Sequence, residues 1–212
     1  MQADFETVIW NQIMILVSVF NVATFLLFHS SKYLSGIYTF VCAFRSVFPR
    51  VDAERVVLYD NFLSSIFLGR TLATIAEVSF AIQVSSYNPV IVSQIILAQF
   101  FCWISVIKKD PFYHIIEESL WASAALSFLW EGQTVLSSFF ILCYISYMIL
   151  VDIPMYMGKY KAFNVKPLGF FAGLGDCVSS RTLVGDWRFW KREAMWMTPY
   201  FTLGVWATQW IY

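Results

Sequence analysis

Histidine is nearly missing from this chain, with only His29 and His114, and its four cysteines, Cys42, Cys102, Cys143 and Cys177, lie scattered without a CxxC or Cys/His spacing. That pattern offers no zinc-finger ligand set, no disulfide framework and no His-rich di-iron or haem centre. No metal and no cofactor is expected, and three of the cysteines read as small apolar helix residues. Charge is scarce too. Asp, Glu, Lys and Arg make up 13% of the chain, against about 25% in a soluble domain. The formal net charge is zero, so no global electrostatic case exists for a nucleic-acid partner. The opening MQADFET lacks the basic n-region of a signal peptide, and the apolar run behind it is too long for an h-region, so it is expected to persist as a span.

What the chain has in abundance is apolar surface. Hydrophobic residues are 59% and aromatic ones 19% of its 212 residues, nine of them tryptophan, and the mean hydropathy is +0.64. An all-α, polytopic integral membrane helical bundle follows, as a single domain over residues 1–212, with lipids as its solvent. A span needs about 20 mostly apolar residues. Seven runs approach this: Thr7–Phe28, Tyr33–Phe48, Phe62–Ser85, Asn88–Ile107, Phe112–Trp130, Thr134–Ile153 and Met195–Tyr212. The second is short and the fifth is polar at its start, which leaves a six-span alternative open.

Charge placement supports seven transmembrane helices. With that count, Arg50, Arg55, Lys108, Lys109, Lys159, Lys161, Lys166, Arg181, Arg188, Lys191 and Arg192 share one side, and Lys32 alone lies on the other. Such asymmetry puts the N-terminus in the cytoplasm and the C-terminus on the opposite side. The long cytoplasmic segment 158–194 then carries two motifs. KPLGFFAGLGDC is too short to span, so it is either re-entrant or interfacial, and it lacks the GK[ST] ending of a phosphate-cradling loop. DWRFWKREAMWM interleaves Trp187, Trp190 and Trp196 with Arg188, Lys191 and Arg192, the pattern of an interfacial helix.

Ionisable side chains at membrane depth cost about 2.5 to 3.5 kcal/mol each and are functional candidates by default. At about 1.5 Å rise per residue, Arg70 lies about 12 Å inside the third span, and Glu77 lies about 10 Å further out on nearly the same face, with Thr74 between them. Glu117 and Glu118 of the fifth span fall about 8 to 9 Å deep, near the layer of Arg70. An inner polar cluster of Arg45, Arg70, His114, Glu117, Glu118 and Asp152 is therefore expected, with Arg70 paired to a glutamate of the fifth span. Arg45, His114 and Asp152 read as its structural members, and Asp152 precedes Pro154, where the helix is expected to end. Asn21, Glu77 and Gln94 form a second layer about 21 to 22 Å deep. Without a cation at that level, desolvation disfavours the ionised form of Glu77.

These placements make Glu77 and Glu118 the candidates for proton carrier or general acid, and Arg70, Thr74, Asn21, Gln94 and Glu117 candidates for binding a substrate. The leading expectation is a small membrane transporter or channel with a titratable buried carboxylate. Two alternatives stand beside it: a metal-independent intramembrane isomerase or cyclase acting on a lipid-soluble substrate, and a non-catalytic subunit of a membrane complex. The solute or substrate is undefined, and a homo-oligomer or larger membrane assembly is compatible with the sequence. A retinal protein is excluded on residues, since the last span, MWMTPYFTLGVWATQWIY, has no Schiff-base lysine.

Overall fold

The computed structural model describes residues 3–130, 134–162 and 166–211. Among them the chain is predominantly helical: α1 (Phe5–His29), α2 (Tyr33–Val47), α3 (Ile66–Val84), α4 (Pro89–Lys108), α5 (Phe112–Leu129), α6 (Val135–Lys161), α7 (Phe170–Ser179) and α8 (Trp187–Trp206, continuing as Ala207–Ile211). Four of these, α1, α3, α4 and α6, are long and apolar enough to cross a membrane. The other three expected spans fall short for separate reasons. α2 has 15 residues, about 22 Å of helix at 1.5 Å per residue against a hydrocarbon core of about 30 Å. α5 carries Glu117 and Glu118, and α8 opens with Arg188, Lys191, Arg192 and Glu193.

Local chemistry sets several boundaries. Asn88 caps α4, its side chain accepting from the Val90 and Ile91 N–H groups at 2.9 and 3.4 Å, and Pro89 occupies the first turn, where no N–H is needed. Lys109, with φ 58°, closes α4 in the left-handed conformation. Asp186 caps α8 by accepting from the Arg188 N–H at 2.8 Å, and Arg188 in turn holds the Asp186 carboxyl below the usual carboxylate range. Asp4 accepts from the Trp187 N–H at 3.0 Å, which ties the start of the chain to the start of α8.

Two helices run on where the sequence suggested a break. Pro154 does not end α6: a wide π turn over Met148–Asp152 precedes it, and the helix resumes as Ile153–Lys161. Proline lacks the N–H for the i to i−4 bond, and a widened turn absorbs that loss without stopping the helix. The tryptophan-rich DWRFWKREAMWM is likewise no separate element but the first turns of α8. Trp190 is fully buried and Trp187 and Trp196 pack on the same core. Trp10 of α1 lies 6.3 Å from Trp187 and 5.8 Å from Trp190 between ring centroids.

The chain divides into two compact units, Met1–Val84 with Cys177–Tyr212, and Ser85–Asp176. In the first, α1, α2, α3 and α8 surround a core that includes Met14, Tyr38, Cys42, Ala76, Trp190 and Phe201. The loop between α2 and α3 adds a feature absent from the hydropathy reading. Strands β1 (Arg50–Val51) and β2 (Val56–Val57) pair antiparallel, and β3 (Thr182–Leu183) joins β2 in parallel, with Val56 opposite Thr182. Arg55 turns this corner at φ 57°. The consequence is that Arg50 and Arg55, which read as loop charges, are each only 1% exposed.

In the second unit α4 packs against α5, and α5 against α6. α7 approaches α4 so closely that a Cβ at Gly173 would meet the Ile107 carbonyl oxygen. In the first unit a Cβ at Gly69 would fall on the Arg50 guanidinium. Gly69→Ala is therefore expected to destabilise the protein by about 1 to 3 kcal/mol through overpacking, read as a lowered melting temperature in detergent. An unchanged melting temperature would mean that Arg50 does not pack on α3.

Candidate anion-binding site

Four arginines of the first unit are buried: Arg55 donates to the Asp52 carbonyl at 2.6 Å, and Arg45 and Arg70 lie within electrostatic range of Arg50. Arg45 stands on the face of α2 that also carries Tyr38 and Cys42, at i, i+4 and i+7 spacing. Its guanidinium lies over the rings of Trp196 and Phe201 of α8, 5.8 and 5.6 Å from their centroids. Among the described residues it has no carboxylate partner, so cation-π contact is its compensation.

Arg50 comes from β1 and reaches α3. Its Nη1 donates to the carbonyls of Leu63 at 3.3 Å and Ser65 at 2.9 Å, and its guanidinium lies 5.0 Å from the centroid of Phe44. Its Nε and Nη2 have no hydrogen-bond partner among the described residues. Burial pushes its pKa down to about 10; Asp52 opposes that shift, while Arg45 and Arg70 reinforce it. Asp52 does not complete the pairing, because its own buried Oδ1 is unpartnered.

Arg70 and Glu77 are both on α3, and the Arg70 Nη2 lies 2.9 Å from the Glu77 Oε1 with both side chains under 10% exposed. This corrects the expectation that Glu77 stands without a cation. Rise along the helix separates their Cα atoms by about 10 Å, but side chains on a helix lean toward its N-terminus. Glu77 leans toward Arg70, and the long guanidinium arm closes the rest. The charge expected to be shed by a lone buried acid is instead balanced by its own helix.

Tyrosines complete the cluster. Tyr200 lies within electrostatic range of Glu77, Cys42, Arg45 and Arg70, and the Tyr38 ring lies 5.6 Å from that of Tyr200. The Tyr38 hydroxyl donates to the Tyr200 carbonyl at 3.3 Å. Arg70 thus has a carboxylate partner in Glu77, whereas Arg45 and Arg50 rest on aromatic faces and backbone carbonyls. A buried group of this kind suits an anion with several acceptor oxygens, such as phosphate or carboxylate.

No protein family, curated protein sequence or solved structure matches this chain significantly.

The remaining sequence candidates separate by unit. In the first, Asn21 is saturated: its amide donates to the Phe201 carbonyl at 3.1 Å, its side-chain oxygen accepts from Trp206 Nε1 at 2.8 Å, and its carbonyl accepts from Gln209 Nε2 at 3.1 Å. Gln209 also donates to Thr39 Oγ1 at 3.2 Å. This network joins α1, α2 and α8, and occupies the groups through which Asn21 would hold a substrate. Thr74 is half-buried on α3. In the second unit, the Gln94 amide donates to Ser123 Oγ at 3.3 Å, His114 Nδ1 meets Glu117 Oε2 at 2.6 Å, and Glu118 and Asp152 are half-buried. The polar groups expected in one inner cluster thus belong to two units, Arg45 and Arg70 to one, His114, Glu117, Glu118 and Asp152 to the other.

Sequence reasoning overlooked Arg50, Tyr38 and Tyr200. Arg50 sits in FRSVFPR outside every apolar run, and only its pairing of strands brings it inward. The one local hint is Gly69 beside Arg70, a small residue where a neighbour approaches.

Arg70→Ala leaves a buried carboxylate unpaired and is expected to cost about 3 to 5 kcal/mol, with a clear drop in melting temperature; Glu77→Gln, an uncharged isostere, costs the pair without creating a new lone anion. Equal melting temperatures for wild type and Arg70→Ala would remove the ion pair. For Arg50 the sign is opposite to that of a paired cation. Its folded pKa of about 10 lies below the ordinary arginine value, so above that pH the folded state binds fewer protons than the unfolded one and stability rises with pH. Relative to Arg50→Met, the wild type should gain stability as pH climbs above about 10. A difference independent of pH would show that Arg50 is not held against its charge.

Proposed function

We propose that this chain is an integral membrane transporter that moves a small anion together with a proton, in a seven-span arrangement with a cytoplasmic N-terminus and the C-terminus on the opposite side. The observation that carries the reading is that Nε and Nη2 of buried Arg50 have no hydrogen-bond partner among the described residues, beside an Arg70–Glu77 ion pair and an Arg45 set over aromatic faces. An anion entering this cluster finds donors already aimed and desolvated. It competes with Glu77 for Arg70. Once Arg70 turns to the anion, the Glu77 carboxylate loses its counter-ion and a proton takes that place. Anion binding and protonation then favour one another, and the coupling is reciprocal.

One observation favours a second reading, a non-catalytic subunit of a membrane complex. Arg70 is ion-paired, as a charge that only specifies helix packing would be. The two readings separate in proteoliposomes. With an imposed pH gradient, the transporter takes up inorganic phosphate, sulfate or citrate and carries protons with it. Glu77→Gln should abolish the proton flux coupled to anion entry, and Arg50→Met should lower anion uptake by about tenfold or more, the loss of about 1.4 kcal/mol or more in binding. Absence of flux for every anion tested, in protein of native melting temperature, would leave the subunit reading in its place.

A further inference from the structure

A second buried cluster lies wholly within the Ser85–Asp176 unit, and its chemistry is different. Cys102 of α4 and His114 and Glu117 of α5 bring a thiol sulfur, a ring nitrogen and a carboxylate oxygen within 4.8 Å of one another. All three are buried: Cys102 is 0%, Glu117 5% and His114 7% exposed. The turn between the helices holds this juxtaposition. The Ser105 hydroxyl donates to the Asp110 carbonyl at 2.7 Å, the Asp110 N–H donates to the Ser105 carbonyl at 3.1 Å, and Lys109 takes the left-handed conformation between them. The ring of Tyr156, stacked on His114 at 4.6 Å between centroids, sets the plane of the imidazole.

We propose that Cys102, His114 and Glu117 form a zinc site that pins α4 to α5, with a water on the fourth coordination position. Sulfur, nitrogen and oxygen donors together suit Zn²⁺, whereas magnesium and calcium take oxygen. Charge supports the assignment. A thiolate and a carboxylate neutralise the divalent ion, so the loaded site carries no net charge into the interior, as burial requires. Zinc bonds of about 2.0 to 2.3 Å place tetrahedral ligand atoms about 3 to 4 Å apart. Rotamer adjustment contracts the trio to that spacing. The 2.6 Å contact of His114 Nδ1 with Glu117 Oε2 opens as both atoms turn to the metal. Binding releases the Cys102 thiol proton to solvent, so affinity falls as pH falls. The sequence expectation of no metal rested on spacing along the chain, and these ligands come from two helices.

The test uses the full-length protein in detergent, stripped with a chelator and titrated with Co²⁺ as a spectroscopic stand-in for Zn²⁺. One cobalt per chain, a thiolate-to-cobalt charge-transfer absorption and displacement by Zn²⁺ are expected. Cys102→Ser should remove that absorption and weaken binding by more than the about 10- to 100-fold lost when outer-shell partners are removed. His114→Ala and Glu117→Gln should keep the absorption at weaker affinity. Cys143→Ser, at an exposed cysteine, should change nothing, and the helical circular dichroism of each variant checks its fold. Cobalt binding indifferent to Cys102→Ser overturns the site. So does an absence of metal uptake, or alkylation of Cys102 that Zn²⁺ does not slow; rapid alkylation without metal binding would instead mark Cys102 as a nucleophile.

Discussion

A buried guanidinium has to be answered by something, and three of the four in the first unit are answered in different ways. Arg70 has Glu77 at 2.9 Å on its own helix, Arg45 has the faces of Trp196 and Phe201, and Arg50 has two carbonyls and the ring of Phe44. Each answer draws on a different element. Removing α8 would strip Arg45 of both aromatic faces and leave it a desolvated cation.

Small residues make the arrangement possible. Gly69 yields the space that Arg50 fills, and Ala73 and Ala76, each 1% exposed, keep the buried side of α3 low around Arg70 and Glu77. The three short strands add direction. By pairing with β2, β3 fastens the approach to α8, and the Val184 carbonyl then accepts from Trp190 Nε1 at 2.7 Å. Trp190 is thereby fixed in the core with its one donor satisfied. The tryptophans of α8 thus serve packing and cation-π contact within the protein, where the sequence pattern suggested headgroups.

The two units carry contrasting chemistry. One concentrates hard, permanently charged donors suited to an anion's oxygens; the other concentrates a soft thiol, an imidazole and a carboxylate suited to a transition-metal ion. The contrast follows from which residues are buried beside which. Arginine keeps its charge at neutral pH and so calls for acceptors or aromatic faces, while a thiol can give up its proton to a metal ion.

Hydropathy is a local, additive property, and what depends on it was legible in the residues alone. The helical class, the four helices long and apolar enough to cross a membrane, and helix limits within a few residues at α4 and α5 all follow from runs such as Pro89–Lys108 and from caps such as Asn88. The depth of Arg70 and Glu77 along one helix was legible as well. Their pairing was not, because a rise of about 1.5 Å per residue gives the distance between backbones and says nothing of how far a guanidinium reaches back along the face. Nor was the burial of Arg50, which pairs with Val57 across the β1–β2 hairpin, nor the meeting of Val56 with Thr182 across more than a hundred residues of chain. Side-chain reach and strand pairing are not contained in hydropathy, and the tertiary structure decided them by bringing side chains and strands within the few ångströms over which those interactions act.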